Sequence, residues 1–324
     1  LFAQTQAEAF AKRYELLHQL PNVPFNGFSA AVFEDKESGQ RVFAIRGTEF
    51  SPSQFVYDFL GADIAGIGGN GFANAQAVEM YRYYKRLTTT GGQVVNYSEE
   101  EQVKLFAMAH PSYINYVKSL SYAEFSTMSS FVEFRSSLSN EVGIPPPAGS
   151  TEASVLGADE RLDVTGHSLG GHLAILFARF FPTNVNEVVT LNPPGVLPHG
   201  DTSLIQLGFP QTAHHRIVRI EADGDGVSEI RMGSPGLTIP IAQEDEPGVL
   251  APAASNHSSI NGGDSLALMA FLAKLDPSYA NDAPGLSNLI RAASNDHASS
   301  YEKTLDGVRR LMLGSSVSAT AVSS

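Results

Sequence analysis

The chain has 324 residues, 43% hydrophobic and 17% charged, with a formal net charge of −13 and no cysteine. That length and apolar content suffice for one large α/β domain or two small ones, and the missing cysteines exclude disulfides, thiol catalysis and Cys-ligated metal. An acidic field of this size repels phosphate backbones and anionic bilayers, so nucleic acid is not an expected partner, and no run of about 18 uncharged apolar residues exists to span a membrane.

The opening LFAQTQAEAF has neither a basic stretch nor an initiator Met and reads as the start of an excised domain. Phe2, Ala9, Phe10, Tyr14 and Leu17 fall at helical spacing, which predicts an amphipathic helix over 2–18, ended by Pro21 and Pro24. FSAAVFED and QRVFAIRGT alternate on either side of KESG, a hairpin with Gly39 in its turn. A second helix is predicted over 73–87, closed by Gly91 and Gly92. From about 88 to 150 the chain is rich in Ser, Tyr, Phe and Met and ends in GIPPPAGS, which reads as an inserted cap or lid. The rhythm then resumes with a strand at 162–165, a helix at 170–181 and strands at 187–191 and 216–221. Helices at about 264–274, 284–293 and 298–313 close the chain. Strands alternating with helices predict an α/β fold with a mainly parallel sheet and helices on both faces. The whole of 1–324 reads as one such domain, with the insertion at about 88–150.

One motif carries chemistry. Gly166-His167-Ser168-Leu169-Gly170 fits G-x-S-x-G, with an apolar strand before it and an apolar helix after it. A nucleophile elbow needs that strand–turn–helix context, and glycines where the turn presses on neighbouring backbone. The turn lifts the Ser168 hydroxyl above the sheet edge at a helix N-terminus, where N–H groups favour developing negative charge. The serine needs a base, and in the α/β-hydrolase fold, which such an elbow predicts, the order along the chain is Ser, acid, His. Of nine histidines, His257 and His297 satisfy that order. The strand in RIVRIEADGDG ends at Asp223 and Asp225, and Asp201 is a weaker candidate acid. For the oxyanion, one N–H comes from Leu169 and the other from the strand end at Gly47 and Thr48. No His-Glu-x-x-His pattern is present, and no metal site is expected.

VFAIRGTEF, VYDFLGADI, VTGHSLGGHLA and VTLNPPGV resemble, in order and context, the class 3 lipases, which include phospholipases A1. The C-terminal NHSSINGGDSLALMAFLAKLDPSYA and YEKTLDGVRRLMLG resemble lipase-like domains of large bacterial calcium-binding repeat proteins. The resemblance covers about two thirds of the chain and is poor across 88–150. It implies Ser168 as nucleophile, Asp225 as acid, His257 as base, and Thr48 and Leu169 as oxyanion donors. Those lipases often carry Asp-x-Val-Pro after the acid strand; DGDGVSEI lacks that proline, which leaves Asp223 open beside Asp225. His297 stays open through its NDH context. The implied activity is hydrolysis of lipid esters, secreted from a bacterium, acting at a lipid–water interface and needing no cofactor; a structural calcium ion has no support in these residues. An acyltransferase or thioesterase on the same scaffold, or a non-catalytic interaction module, are the competing readings.

Overall fold

The N-terminal periodicity expected to give one helix gives two elements. Helix α1 (Gln4–Arg13) stops, and Tyr14–Leu20 continues as strand β1, antiparallel to β2 (Ala30–Asp35). The apolar positions of YELLHQL fit either period, and the β2 edge offers a ladder of backbone hydrogen bonds that a helix could not use. Arg13 closes the junction, its Nη2 2.7 Å from Asp35 Oδ2. The computed structural model describes residues 4–23, 27–47, 67, 69–211, 214–222, 225, 227, 235–242, 257, 259–279 and 281–293. The chain divides into two units, Leu1–Val218 with Arg231–Leu237, and Arg219–Ile230 with Thr238–Ser324.

In the first unit, β2 and β3 (Arg41–Ile45) form the expected hairpin, turning at Gly39, whose φ of 72° suits only glycine without strain. Helix α2 (Asn74–Thr88) buries Met80, Tyr83, Tyr84 and Leu87. The stretch read as an insertion then builds a small helical assembly of its own. Ser98 and Glu101 form a capping box at the start of α3 (Glu99–Ala109), and Ser121 and Glu124 form another at the short α4 (Tyr122–Phe125). With α5 (Ser129–Ser139) these helices enclose a satellite core of Val103, Phe106, Phe125 and Phe131. Polar bonds fasten it to α2: Glu101 Oε1 accepts from Tyr81 Oη at 2.8 Å and from Lys85 Nζ at 2.9 Å, and Asn74 Nδ2 donates to Met108 O at 3.1 Å.

β4 (Leu162–His167) then joins parallel to β3, which places Ile45 beside Gly166. The next helix, α6 (Leu169–Phe180), is buried at every residue, so it is apolar all round rather than on one stripe. Its Phe177 ring lies 5.2 Å from Phe43 and 4.9 Å from Tyr84. β5 (Val185–Leu191) joins parallel to β4, with His167 beside Leu191. Helix α7 (Pro198–Gln206), which sequence patterning missed, follows with proline in its first turn. Among the described residues the strands run β1 to β7 in sequential order, β6 being Ile217–Ala222 and β7 Leu237–Ile241. Central parallel strands, antiparallel additions at the β1 edge, and a strand–turn–helix between β4 and α6 are the α/β-hydrolase class that the sequence predicts.

The second unit contains α8 (Ser259–Leu275) and α9 (Ala283–Ala293). Asp282 Oδ1 accepts from the Gly285 N–H at 2.9 Å and caps α9, and Ser287 Oγ donates to Pro240 O at 2.9 Å. The helix expected at 298–313 lies outside the described residues.

Candidate active site

β4 ends at His167 and α6 begins at Leu169, so Ser168 alone makes the turn. Its φ of 57° with ψ of −129° is a conformation that non-glycine residues rarely adopt. Backbone contacts hold the strain: the Ser168 N–H donates to Leu191 O at 2.9 Å, and Ser168 O accepts from the His172 N–H at 3.0 Å. The flanking glycines are a steric necessity. A Cβ on Gly166 would stand 2.3 Å from Gly170 C, and one on Gly170 would stand 2.2 Å from Ile45 O. The obstructing atoms are backbone of β3 and of the elbow, which cannot swing aside as a side chain can. Gly170→Ala is therefore expected to cost about 3 kcal/mol of stability, read from the denaturant midpoint. A loss below about 1 kcal/mol would show that the elbow backbone gives way easily.

Ser168 has 0% of its surface exposed, whereas the sequence predicts a hydroxyl standing clear of the sheet. The end of β3 presses close to it: a Cβ on Gly47 would lie 3.3 Å from the Ser168 Cβ. Leu169 occupies the first position of α6, where backbone N–H groups have no acceptor within the helix and are available to an oxyanion. Thr48, the other expected donor, lies outside the described residues.

In the second unit, Asp225 and His257 are hydrogen-bonded to each other. His257 Nδ1 lies 3.0 Å from Asp225 Oδ1, with the two residues 2% and 0% exposed. The same oxygen accepts the Val227 N–H at 3.1 Å, which fixes the carboxylate. A carboxylate can only accept, so the hydrogen between the two residues is on Nδ1. Asp223 and His297 lie outside the described residues. Asp201, the weaker candidate acid, is on α7 and forms an ion pair with the buried Arg179 of α6. Among the described residues no group of three or more His, Asp or Glu is placed to hold a metal ion.

Other histidines have structural partners. His18 Nδ1 lies 2.7 Å from Tyr83 Oη, and the His110 ring is 4.6 Å from that of Phe106. His172, within the helix after the serine, does not satisfy the order Ser, acid, His, and no local pattern in the sequence signals its burial or bonding. Burial pushes its pKa down to about 4, against the weaker pull of the Pro194 and Gly195 carbonyls. Unfolded, the ring titrates near its ordinary value of 6.5. The unfolded chain therefore binds the extra proton first, and the contribution is intact above pH 6.5 and lost as pH falls to 4. The loss is of order 3 kcal/mol. Stability measured from pH 7 to pH 4 is expected to fall more steeply in the wild type than in His172→Gln, and equal slopes would contradict this.

Asn192, at the end of β5, was also missed: it is fully buried with a φ of 48°. Its signal was an asparagine between a strand end and Pro193, since asparagine tolerates left-handed backbone. Thr190 Oγ1 is buried without a hydrogen-bond partner on the β5 face that meets Gly171. Thr190→Val keeps the shape and removes that cost, so it is expected to be neutral or to stabilise by up to about 1 kcal/mol. A clear loss of stability would mean that the hydroxyl is bonded.

No protein-family model matches the chain, and neither does any curated protein sequence. Among solved structures, the chain is similar to the Lip2 lipase of Yarrowia lipolytica, at 16% identity over 75% of this chain and 71% of that one, with a TM-score of 0.31. It is similar to a lipase of Rhizopus microsporus var. chinensis at 13% identity over 74% and 66%, with a TM-score of 0.33. Similarity to a triacylglycerol lipase of Penicillium expansum reaches 14% identity over 71% and 70%, with a TM-score of 0.32. The chemistry has to be read from this chain's own residues.

Proposed function

We propose that the chain is a serine carboxylester hydrolase acting on lipid esters, of the lipase or phospholipase A1 type. The observation that carries this reading is the strained Ser168 turn between β4 and α6, enforced by glycines that admit no Cβ. No ordinary helix cap needs that conformation. In the proposed reaction His257 takes the Ser168 proton as the oxygen attacks an ester carbonyl, and Asp225 holds the ring and stabilises the imidazolium. The N–H groups of Leu169 and Thr48 receive the oxyanion. His257 then protonates the leaving alcohol, and water activated by the same ring releases the acid.

The buried serine bears on how substrate enters. With no exposed surface at Ser168, an ester reaches it only after covering residues move. The bonds between α2 and α3 support reading 88–150 as a cap fastened to a single lipase-like domain rather than as the moving part. A net charge of −13 favours neutral or zwitterionic interfaces over anionic ones. Secretion from a bacterium rests on the C-terminal resemblance alone. Among the described residues no helix is long and apolar enough to cross a membrane.

The test is a panel of p-nitrophenyl esters of rising chain length with phosphatidylcholine, each below and above its aggregation concentration. Hydrolysis that rises when the substrate aggregates supports the reading. The same burial favours a second reading, a lipase-like module whose serine is never reached. That reading gains if no ester in the panel is cleaved by folded protein in either state.

A further inference from the structure

One buried imidazole beside the elbow has no part in the proposed reaction, yet it is bonded on both sides. His172 lies one turn past Ser168 in α6 and has no exposed surface. Its Nε2 accepts the backbone N–H of Ala73 at 3.2 Å, at the N-cap of α2. Its Nδ1 lies 3.3 Å from the carbonyl oxygen of Pro194, in the loop after β5. An amide N–H only donates and a carbonyl only accepts, so a single neutral tautomer, with hydrogen on Nδ1, satisfies both. Gly171 makes the fit: a Cβ there would stand 3.0 Å from Pro193 Cβ and 3.2 Å from Thr190 Cβ.

The segments that His172 joins also meet the elbow and each other. The loop begins at Leu191, whose carbonyl takes the Ser168 N–H, and at Asn192 in its left-handed conformation. The approach to α2 meets the approach to α7: the Leu197 N–H donates to Gly71 O at 3.0 Å, and a Cβ on Gly71 would stand 2.2 Å from Gly200 N. One ring thus ties the first turn of the nucleophile helix to the end of β5 and to the start of α2.

We propose that His172 is a positioning residue for Ser168. Its Nδ1–H imidazole locks the loop at 192–196 and the entry of α2 onto the first turn of α6. It thereby holds the Ser168 side chain and the Leu169 N–H in the geometry that acyl transfer requires. The ring does not touch substrate. This inference rests on the hydrolase reading above. Burial keeps the ring neutral at ordinary pH, so the tautomer persists through the range in which an esterase is assayed. An apolar substitute of similar size fills the space but leaves the Ala73 N–H and the Pro194 carbonyl unpaired. Glutamine carries both a donor and an acceptor on one planar group.

The experiment compares wild type, His172→Leu and His172→Gln for kcat and KM on a short p-nitrophenyl ester and for the rate of Ser168 labelling by a fluorophosphonate. His172→Leu is expected to lower kcat about tenfold or more with KM within about twofold, and to slow labelling in step. His172→Gln is expected to recover kcat to within about threefold of wild type. Wild-type kcat in folded His172→Leu, or a glutamine variant no better than the leucine variant, overturns the proposal and leaves the hydrolase reading standing. If neither variant folds, nitrogen-15 spectra of wild-type histidines decide: hydrogen on Nδ1 of His172 with a protected Ala73 amide supports it, and the opposite tautomer overturns it. Wild type that neither cleaves esters nor takes label overturns the hydrolase reading, and this inference with it.

Discussion

Ser168→Ala is expected to lower ester hydrolysis by a factor on the order of 10⁶, leaving the slow rate that binding and oxyanion donors support alone. Alanine keeps the Cβ, and so the backbone strain at a φ of 57°, while removing the only atom that can attack. The protein should therefore fold much as before. Ser168→Gly makes the comparison sharper. Glycine relieves the left-handed strain, so this variant should be equally inactive yet more stable, by about 1 kcal/mol. Initial rates on p-nitrophenyl butyrate and a denaturant titration check both halves. Activity within about a hundredfold of wild type in either variant would place the nucleophile elsewhere.

The second large effect is expected at Asp225. Asp225→Ala removes the oxygen that takes both His257 Nδ1–H and the Val227 N–H, at 3.0 and 3.1 Å. The ring is then free to rotate and to carry its hydrogen on the wrong nitrogen. The expected loss is on the order of 10⁴ in kcat, with KM little changed. Both bonds go to one oxygen, so an asparagine that keeps its carbonyl there keeps both of them. Asp225→Asn should then keep these two bonds but lose the charge that stabilises the imidazolium, and its kcat should fall between those of the alanine variant and the wild type. A tenfold loss or less for the alanine variant would point to Asp223 as the acid. Alanine at His257 and at His297, assayed in parallel, separates the two candidate bases: only the first should abolish turnover.

The elbow is legible in the sequence because independent signals coincide there. An apolar strand, a serine and an apolar helix meet at one point, and glycines stand where the backbone of Gly166, Gly170 and Ile45 converges. The hairpin of β2 and β3 is legible for a similar reason, since alternation and a turn glycine agree. β1 is not legible, because YELLHQL suits a helix or a strand and only the β2 edge decides between them. β7 reads LTIPI, too short to call alone, with a proline that argues against a strand. In the site, the roles of His172 and Asn192 depend on contacts between segments far apart in sequence, from Ala73 to Pro194, which no local pattern encodes. The burial of Ser168 is hidden for the same reason: motif and spacing say where a turn lies, not what packs over it. Thr48, Asp223, His297 and 298–313 lie outside the described residues and remain expectations from sequence.

The most direct measurement is the site of covalent modification by a fluorophosphonate, located by peptide mass spectrometry on folded protein with and without a phosphatidylcholine interface. A stoichiometric adduct on Ser168, formed faster with the interface and absent from Ser168→Ala, is the expected result. Folded protein that takes no label in either condition, or takes it on another residue, would contradict a nucleophile at the β4–α6 turn.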